Sequence, residues 1–493
     1  MKKNKDLRDF LDSVRKAGSD FYVEVKQPLD PELQVCVLQQ KLAKRGRFPV
    51  ISCPEIKGSK ISLVSNLFGS YEMLGMALGI DSKTGTDDIE EATFFPFGEG
   101  GPQKTDRAGL LQEFRQRVAG KIPPEIIPSA EAPVKEVILK GKDANLDILP
   151  LTRHGKLDSK KYITIGYTVC KDPDTGMPNV GIYRHEVKGK DKLGVGLNPA
   201  HHAAYIARRY AELGKPMEVA ICIGHHPAAI LGAQAKGSID LNEFEVMGGF
   251  LGESLLLVKA ETVDLHVPAY AEIIIEGVVE DASDIVQDGP FAEYTGHYGE
   301  KGGRAVYVVN ITAITMRKNA IYHDLDPANR EHNLIPALFY ESAVYDMVKR
   351  IVPTLKAVSF PLSGTAALHT YVSIRKRIQG EGKLAALAAL AADHSIKLVV
   401  VVDEDIDVYD EQEVMWAVAT RMNGQKDITV IPWVTATDLD PSGYNETGVQ
   451  RGHMDTKVII DATRPVGTPF ATRIAPDEEL WKSMKLSNYI DLS

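Results

Sequence analysis

The chain has 493 residues, 44% of them hydrophobic and 25% charged, and a formal net charge of -10. That length supports two or three domains with substantial cores, and the acidic balance argues against nucleic acid or an anionic membrane surface as the main partner. Four cysteines, Cys36, Cys53, Cys170 and Cys222, are too scattered for a zinc site or a disulfide framework, which makes reduced cytoplasm the expected compartment. The start, Met1-Lys2-Lys3-Asn4-Lys5-Asp6, lacks the apolar core of a signal peptide. Nowhere do about eighteen apolar residues run uninterrupted, so no membrane span is expected.

In chain order, helical patterns over residues 6–16, 31–45 and 71–78 alternate with short apolar strands at 48–52 and 61–65, a small α/β lobe over 1–118. Prolines at Pro123, Pro124, Pro128 and Pro133 mark a linker. Strands then dominate at 162–170, 180–185, 217–224, 254–258, 271–279 and 305–316, which predicts a curved sheet or barrel over 119–334. From 335 to 465 strands at 369–374, 396–402 and 428–432 alternate with helices at 383–392 and 411–421, the pattern of a parallel α/β sheet. Asp410 and Glu413 have capping-box spacing, so the acidic run Asp403, Glu404, Asp405, Asp407 and Asp410 reads as cap and solvated loop. A tail at 466–493 carries a short amphipathic helix with Leu480, Trp481 and Met484, an expected oligomer contact.

Two segments carry candidate chemistry, Asn179-Val180-Gly181-Ile182-Tyr183-Arg184 and Asp288-Gly289-Pro290-Phe291-Ala292-Glu293. Strand alternation puts Arg184 on the face of Val180 and Ile182, and a buried cation needs a carboxylate partner. Gly289-Pro290 interrupts any regular strand, so Asp288 and Glu293 can turn toward one cavity. An arginine between two carboxylates is either a general acid/base device or a structural ion-pair network. Thirteen histidines include the adjacent pairs His201-His202 and His225-His226, neither with His-Glu-x-x-His spacing, and both read first as helix caps or satisfied core residues. No Gly-x-Ser-x-Gly elbow is present.

The series Tyr162-Ile163-Thr164-Ile165-Gly166, Lys171-Asp172-Pro173-Asp174-Thr175-Gly176 and Asn179 to Arg184 resembles the UbiD family of prenylated-FMN-dependent decarboxylases. Asn242-Glu243-Phe244, Val267-Pro268-Ala269, residues 288–296, Val372-Ser373-Ile374-Arg375-Lys376, Leu439-Asp440-Pro441 and Ile459-Ile460-Asp461-Ala462-Thr463 continue it in order, over about 134–465. The resemblance implies an α/β chain with an N-terminal lobe, a central split β-barrel binding the flavin and a C-terminal α/β domain. It implies a manganese or magnesium ion on Asn179, His202 and Glu243, a set suited to those ions, with potassium as a further cation. A shift of one residue in the match selects His201 instead. Prenylated FMN is then expected near Thr164, Gly181 and Ile182, with its phosphate on the metal and Lys376. The family's Glu-Arg-Glu trio maps to Asp288, Arg184 and Glu293, with aspartate replacing the first glutamate. Arg184 and Asp288 orient substrate and cofactor, and Glu293 donates the proton. Leu439 matches a position lining the substrate pocket.

The resemblance further implies a flavin prenyltransferase as supplier of the cofactor and a homodimer or homohexamer. The expected reaction is reversible decarboxylation of an aromatic or heteroaromatic acid. The stretch from His323 to His332 departs from many relatives and predicts a polar pocket wall, although His323 and His332 read better as surface loop residues. Two other classes stay open: a non-catalytic flavin-binding subunit of a larger carboxylase, and an FMN oxidoreductase.

Overall fold

The computed structural model describes residues 3–80, 106–197, 201–235, 237–283, 285–299, 304–437, 439–443, 454–474, 477–484 and 488–489. By contact the chain divides into two units, Met1–Ile80 with Glu113–Ile335 and Asp81–Gln112 with Pro336–Ser493.

The first unit begins with helix Leu7–Ala17, which buries Leu7, Phe10, Leu11 and Val14 and closes its start with a reciprocal cap between Asp6 and Asp9. Strands Tyr22–Glu24, Val50–Cys53 and Ser62–Ser65 follow, and their sheet takes its fourth strand, Ile321–Asp324, from far along the chain. One apolar cluster joins this small sheet, through Ile51, Leu63 and Tyr322, to a ten-stranded sheet, through Leu193, Ile221, Ile275 and Ile314.

Every pairing in the ten-stranded sheet is antiparallel. The sequence patterns at 162–170 and 180–185 each predict one strand, and each is instead broken in two. Tyr162–Ile163 pairs with His185–Val187, while Tyr167–Lys171 pairs with Pro178–Ile182. These two pairs are the opposite ends of the hydrogen-bonded path, with Lys192–Val195, Arg304–Met316, Ile273–Val279 and Met217–Ile223 between them. Only residues 164–166 and 183–184 connect the two ends, and gaps so short span at most about 15 Å. The sheet therefore curls until its ends meet, and its ladder is interrupted along that seam. One long bond, Tyr183 N–H to the Gly166 carbonyl at 3.5 Å, bridges it. Curvature is helped where the register shifts between Glu276 and Gly277, because a Cβ on Gly277 would lie 2.6 Å from the Asn310 carbonyl oxygen.

In the second unit the strands run in the order Leu355–Ser359, His369–Ile374, Leu398–Asp403, Met454–Ala462, Ile428–Thr435. The three central strands are parallel, as the alternating pattern predicts, and both outer strands are antiparallel. Val399 and Val401 enter a cluster with Ala385 and Ala389, whereas Val400 and Val402 enter another with Val414 and Ala417. Alternation on a strand covered on both faces thus accounts for its unbroken valine run.

The acidic run departs from expectation. Asp410 caps helix Glu411–Arg421 by accepting from Gln412 N and Glu413 N, but Glu413 accepts from Asp407 N and pairs with Arg473, so the box is half made. Asp403 is buried against Arg421 rather than solvated. In the tail, Asp477 caps helix Glu478–Ser483, and Leu480 and Met484 are exposed. The Trp481 side chain lies outside the described residues, as do Asn198 and Pro199. Among the described residues no helix is long and apolar enough to cross a membrane.

Candidate active site

The seam collects most of the sequence-predicted residues of the first unit. Arg184 is not on a strand but in the two-residue gap after Pro178–Ile182, so the alternation that aimed it does not apply. Its guanidinium lies 4.9 Å over the Phe291 ring, and Phe291 packs at 4.5 Å on Tyr162. Arg184 Nε and Nη2 donate to the two oxygens of Asp288 at 3.0 and 2.9 Å, and Nη1 donates to Glu293 Oε1. Asp288 ends strand Ile285–Asp288, the cis Gly289-Pro290 bond follows, and a turn closed by Glu293 N to the His297 carbonyl returns Glu293 to the same cation. Both carboxylates are buried. Burial opposes charge on Arg184, but Glu293 and Asp288 outweigh it and raise its pKa.

A second group forms on strand Pro178–Ile182, against which helices His202–Glu212 and Glu243–Leu251 both pack. Asn179 Nδ2 donates to Glu243 Oε1 at 3.0 Å, and Val180 N to Oε2 at 3.0 Å. Burial pushes the Glu243 carboxyl up to about 7, against the pull of those donors. His202 opens its helix, with His201 as the residue before it. Among the described residues no three or more of His, Cys, Asp and Glu gather as a metal cluster, and an Asn-His-Glu set, with two such residues, would not. One amide oxygen, one imidazole and one carboxylate whose burial disfavours its charge suit a hard divalent cation.

The other candidates fall as follows. Thr164, in the opposite gap of the seam, is tied to Leu325, its Oγ1 donating to the carbonyl at 2.7 Å and accepting from the N–H at 3.1 Å. Gly181 and Ile182 pair with Thr168 and Tyr167. A Cβ at Gly181 would lie 2.4 Å from the Tyr183 hydroxyl. Lys376 and Leu439 belong to the second unit, where Lys376 Nζ donates to Thr463 Oγ1 at 2.8 Å and to the Arg464 carbonyl at 3.2 Å. Leu439 N donates to Thr437 Oγ1 at 3.3 Å. His226 fits the structural reading, since it caps helix Pro227–Gly232, and His225 is fully buried with Nδ1 accepting from His226 N.

The surface reading of His323 and His332 is wrong. His323 is fully buried on strand Ile321–Asp324, with Nε2 3.8 Å from Glu331. His332 lies in helix Arg330–Ile351 with its ring against Tyr294, and burial pushes it down to about 4 although the nearby Glu293 carboxylate pulls the other way. Polar residues in a loop-like string gave no signal that a late strand would carry His323 into the core and that a helix would carry His332.

Comparison with known proteins bears on the family and the fold. The models of the 3-octaprenyl-4-hydroxybenzoate carboxy-lyase N-terminal, Rift-related and C-terminal domains match residues 17–93, 125–329 and 334–462. The chain is 40% identical to anhydromevalonate phosphate decarboxylase of Methanothermobacter thermautotrophicus over 66% of this chain and 74% of that one. It is 32% identical to phenolic acid decarboxylase of Sedimentibacter hydroxybenzoicus over 94% and 92%. The UbiD-class enzyme HmfF of Pelotomaculum thermopropionicum, solved in complex with FMN, superposes with a TM-score of 0.86 at 32% identity, covering 98% of this chain and 100% of that one. An evolved dimeric form of HmfF, in complex with prFMN, gives 0.82 at 31% identity over 98% and 100%. The chain belongs to the UbiD family of prenylated-FMN-dependent carboxy-lyases.

Proposed function

We propose that this chain catalyses the reversible, non-oxidative decarboxylation of an aromatic or heteroaromatic carboxylic acid, with Glu293 as proton donor. The observation that carries the assignment of roles is one guanidinium shared by two buried carboxylates at the seam. Asp288, held by two of the arginine's donors, keeps Arg184 charged and oriented toward the carboxylate of the substrate. Glu293, on the third nitrogen and at the end of a turn, delivers a proton to the carbon that loses carbon dioxide. The bond from that carbon to the carboxylate breaks, its electron pair stays on the carbon, and a new C–H bond takes the proton from Glu293. Prenylated FMN supplies the electron sink for that pair when bound. Asn179, His202 and Glu243 would hold manganese or magnesium beside its phosphate, and Thr164, Gly181, Ile182 and Lys376 are its further contacts in this reading, with Leu439 on the substrate. A potassium ion, a homodimer or homohexamer, a prenyltransferase as cofactor source and a cytoplasmic location complete the proposal.

Fully buried His323 and half-buried His332 support a polar pocket wall, and so a hydroxylated or heterocyclic acid over a plain cinnamate-like one. Identity of 40% to a decarboxylase of anhydromevalonate phosphate supports a second reading, a phosphorylated aliphatic acid. The test is co-expression with a flavin prenyltransferase, an absorption spectrum, the mass of the released cofactor, and a screen for carbon dioxide release. Turnover of phenolic or heteroaromatic acids is expected, and preference for a phosphorylated alkenoic acid would select the second reading. Plain FMN reducible by NADH would make the chain an oxidoreductase. Unchanged turnover in Glu293→Gln would leave Glu293 without the proton.

A further inference from the structure

We propose that Asp158 and Tyr162 are positioning residues that set the reach of Glu293, a proposal that rests on the reading of Glu293 as proton donor. Glu293 sits in a loop whose bonds at the acid itself are internal, Glu293 N to the His297 carbonyl and Gly296 N to the Glu293 carbonyl. What fixes the loop is residues 155–162. The buried Asp158 carboxylate accepts three backbone N–H groups, His154 at 3.2 Å and Gly155 at 2.6 Å on Oδ2, and Ala292, the residue before Glu293, at 3.1 Å on Oδ1. Ser159 N donates to the Pro290 carbonyl at 2.9 Å. Gly289 N, the residue after Asp288, donates to the Tyr162 hydroxyl at 3.2 Å. Leu157 N donates to the Tyr298 hydroxyl at 2.9 Å.

These bonds bracket both carboxylates, one immediately after Asp288 and one immediately before Glu293. The Tyr162 ring meanwhile presses Phe291 against the Arg184 guanidinium. The latch stands on a rigid base, because buried Thr152 and His154 both bond to Asp324 Oδ1, at 2.8 and 2.9 Å, on the fully buried end of strand Ile321–Asp324. An ionised carboxylate accepting three N–H groups is a strong, directional staple. A displacement of about 1 Å at a proton donor is enough to slow its step by orders of magnitude. The sequence offers no motif for this, since the two segments are over a hundred residues apart and meet through backbone donors and one ring contact.

Decarboxylation contains two separable events, exchange of carbon dioxide, which moves no proton, and exchange of the product C–H with solvent, which needs the donor. The test uses the holoenzyme with whichever of 4-hydroxybenzoate, 3,4-dihydroxybenzoate, 2-furoate and anhydromevalonate phosphate it turns over fastest. Deuterium uptake into the product in heavy water is compared with uptake of labelled carbon dioxide into the acid. Asp158→Asn is expected to slow deuterium uptake roughly tenfold or more, and Tyr162→Phe, which keeps the ring on Phe291, severalfold, with carbon dioxide exchange within about twofold of wild type. Amide exchange in the protein without substrate is expected to lose protection at Gly289 in Tyr162→Phe, and at Ala292, His154 and Gly155 in Asp158→Asn. Equal slowing of both exchanges, or unchanged deuterium uptake in Tyr162→Phe with protection lost, would overturn the proposal. Tyr162→Phe decides it if Asp158→Asn does not fold. Deuterium uptake intact in Glu293→Gln sinks the proton-donor reading instead, a result separate from the behaviour of the latch.

Discussion

In the second unit Arg421 and Arg464 face Asp403 and Asp405 two against two, whereas in the first unit, among the described residues, Arg184 pairs with both Asp288 and Glu293. The residue types and the bidentate geometry are alike; the burial differs, since Arg464 and Asp405 are partly exposed while Asp288 and Glu293 are buried. Where charges balance, every carboxylate is neutralised and the group pins the strand Leu398–Asp403 to helix Glu411–Arg421 and to the chain after Met454–Ala462. Arg421 also stacks on Trp416 at 5.4 Å, with Arg473 5.0 Å from the same ring, which fixes the network further. Where one guanidinium bridges two buried carboxylates, it ties the end of strand Ile285–Asp288 to the turn that carries Glu293. An arginine between buried carboxylates is suited to chemistry as well as to bracing.

The comparison predicts opposite phenotypes. The largest expected effect is on stability: Arg421→Ala leaves Asp403 buried beside only the half-exposed Arg464 and should cost about 3–5 kcal/mol in urea unfolding. A loss under about 1 kcal/mol would mean that the balanced network does not brace the unit. Next is Glu293→Gln, which should reduce turnover by roughly two or more powers of ten while the melting temperature stays within a few degrees of wild type. Destabilisation matching that of Arg421→Ala would place the trio in the same structural class.

Asp326 gives an intermediate, pH-dependent effect. Burial pushes its carboxyl from 3.8 up to about 6, with His154, Cys36 and Asn329 pulling it down. The folded protein therefore holds a proton that the unfolded chain has released, and this contribution to stability is full below about pH 4 and lost as pH rises through about 6. Asp326→Asn should flatten that window, gaining about 2–3 kcal/mol at pH 7 relative to pH 4 when compared with wild type. Parallel pH profiles for the two proteins would contradict it. The smallest effect is expected for Arg464→Ala, since its side chain is 40% exposed and water and salt screen its pairs, at about 1 kcal/mol or less. A larger loss would show that the second cation carries the balance after all.

How much of this was legible beforehand can be followed through particular residues. Helix Leu7–Ala17, the alternating strands and helices of the second unit and the pairing of Arg184 with two carboxylates all follow from local periodicity or from the rule that a buried charge needs a partner. The broken strands at the seam, the burial of His323 and the latch through Asp158 do not. A strand is recognised by a period of two, and that period does not register where a ladder is cut and turned by residues that still look extended.

The sequence by itself determined the residue types of the site, their order and the elements that carry them, because helix and strand periods and the partner rule act over short stretches. Only the tertiary structure decided that the two ends of a ten-stranded path meet at residues 164–166 and 183–184. It alone decided too that a late strand brings His323 and Asp324 into the first lobe's sheet, and that Asp158 holds the backbone beside Glu293. Those outcomes depend on closing loops of a hundred or more residues, where backbone donors and acceptors, which are the same at every residue, do the pairing.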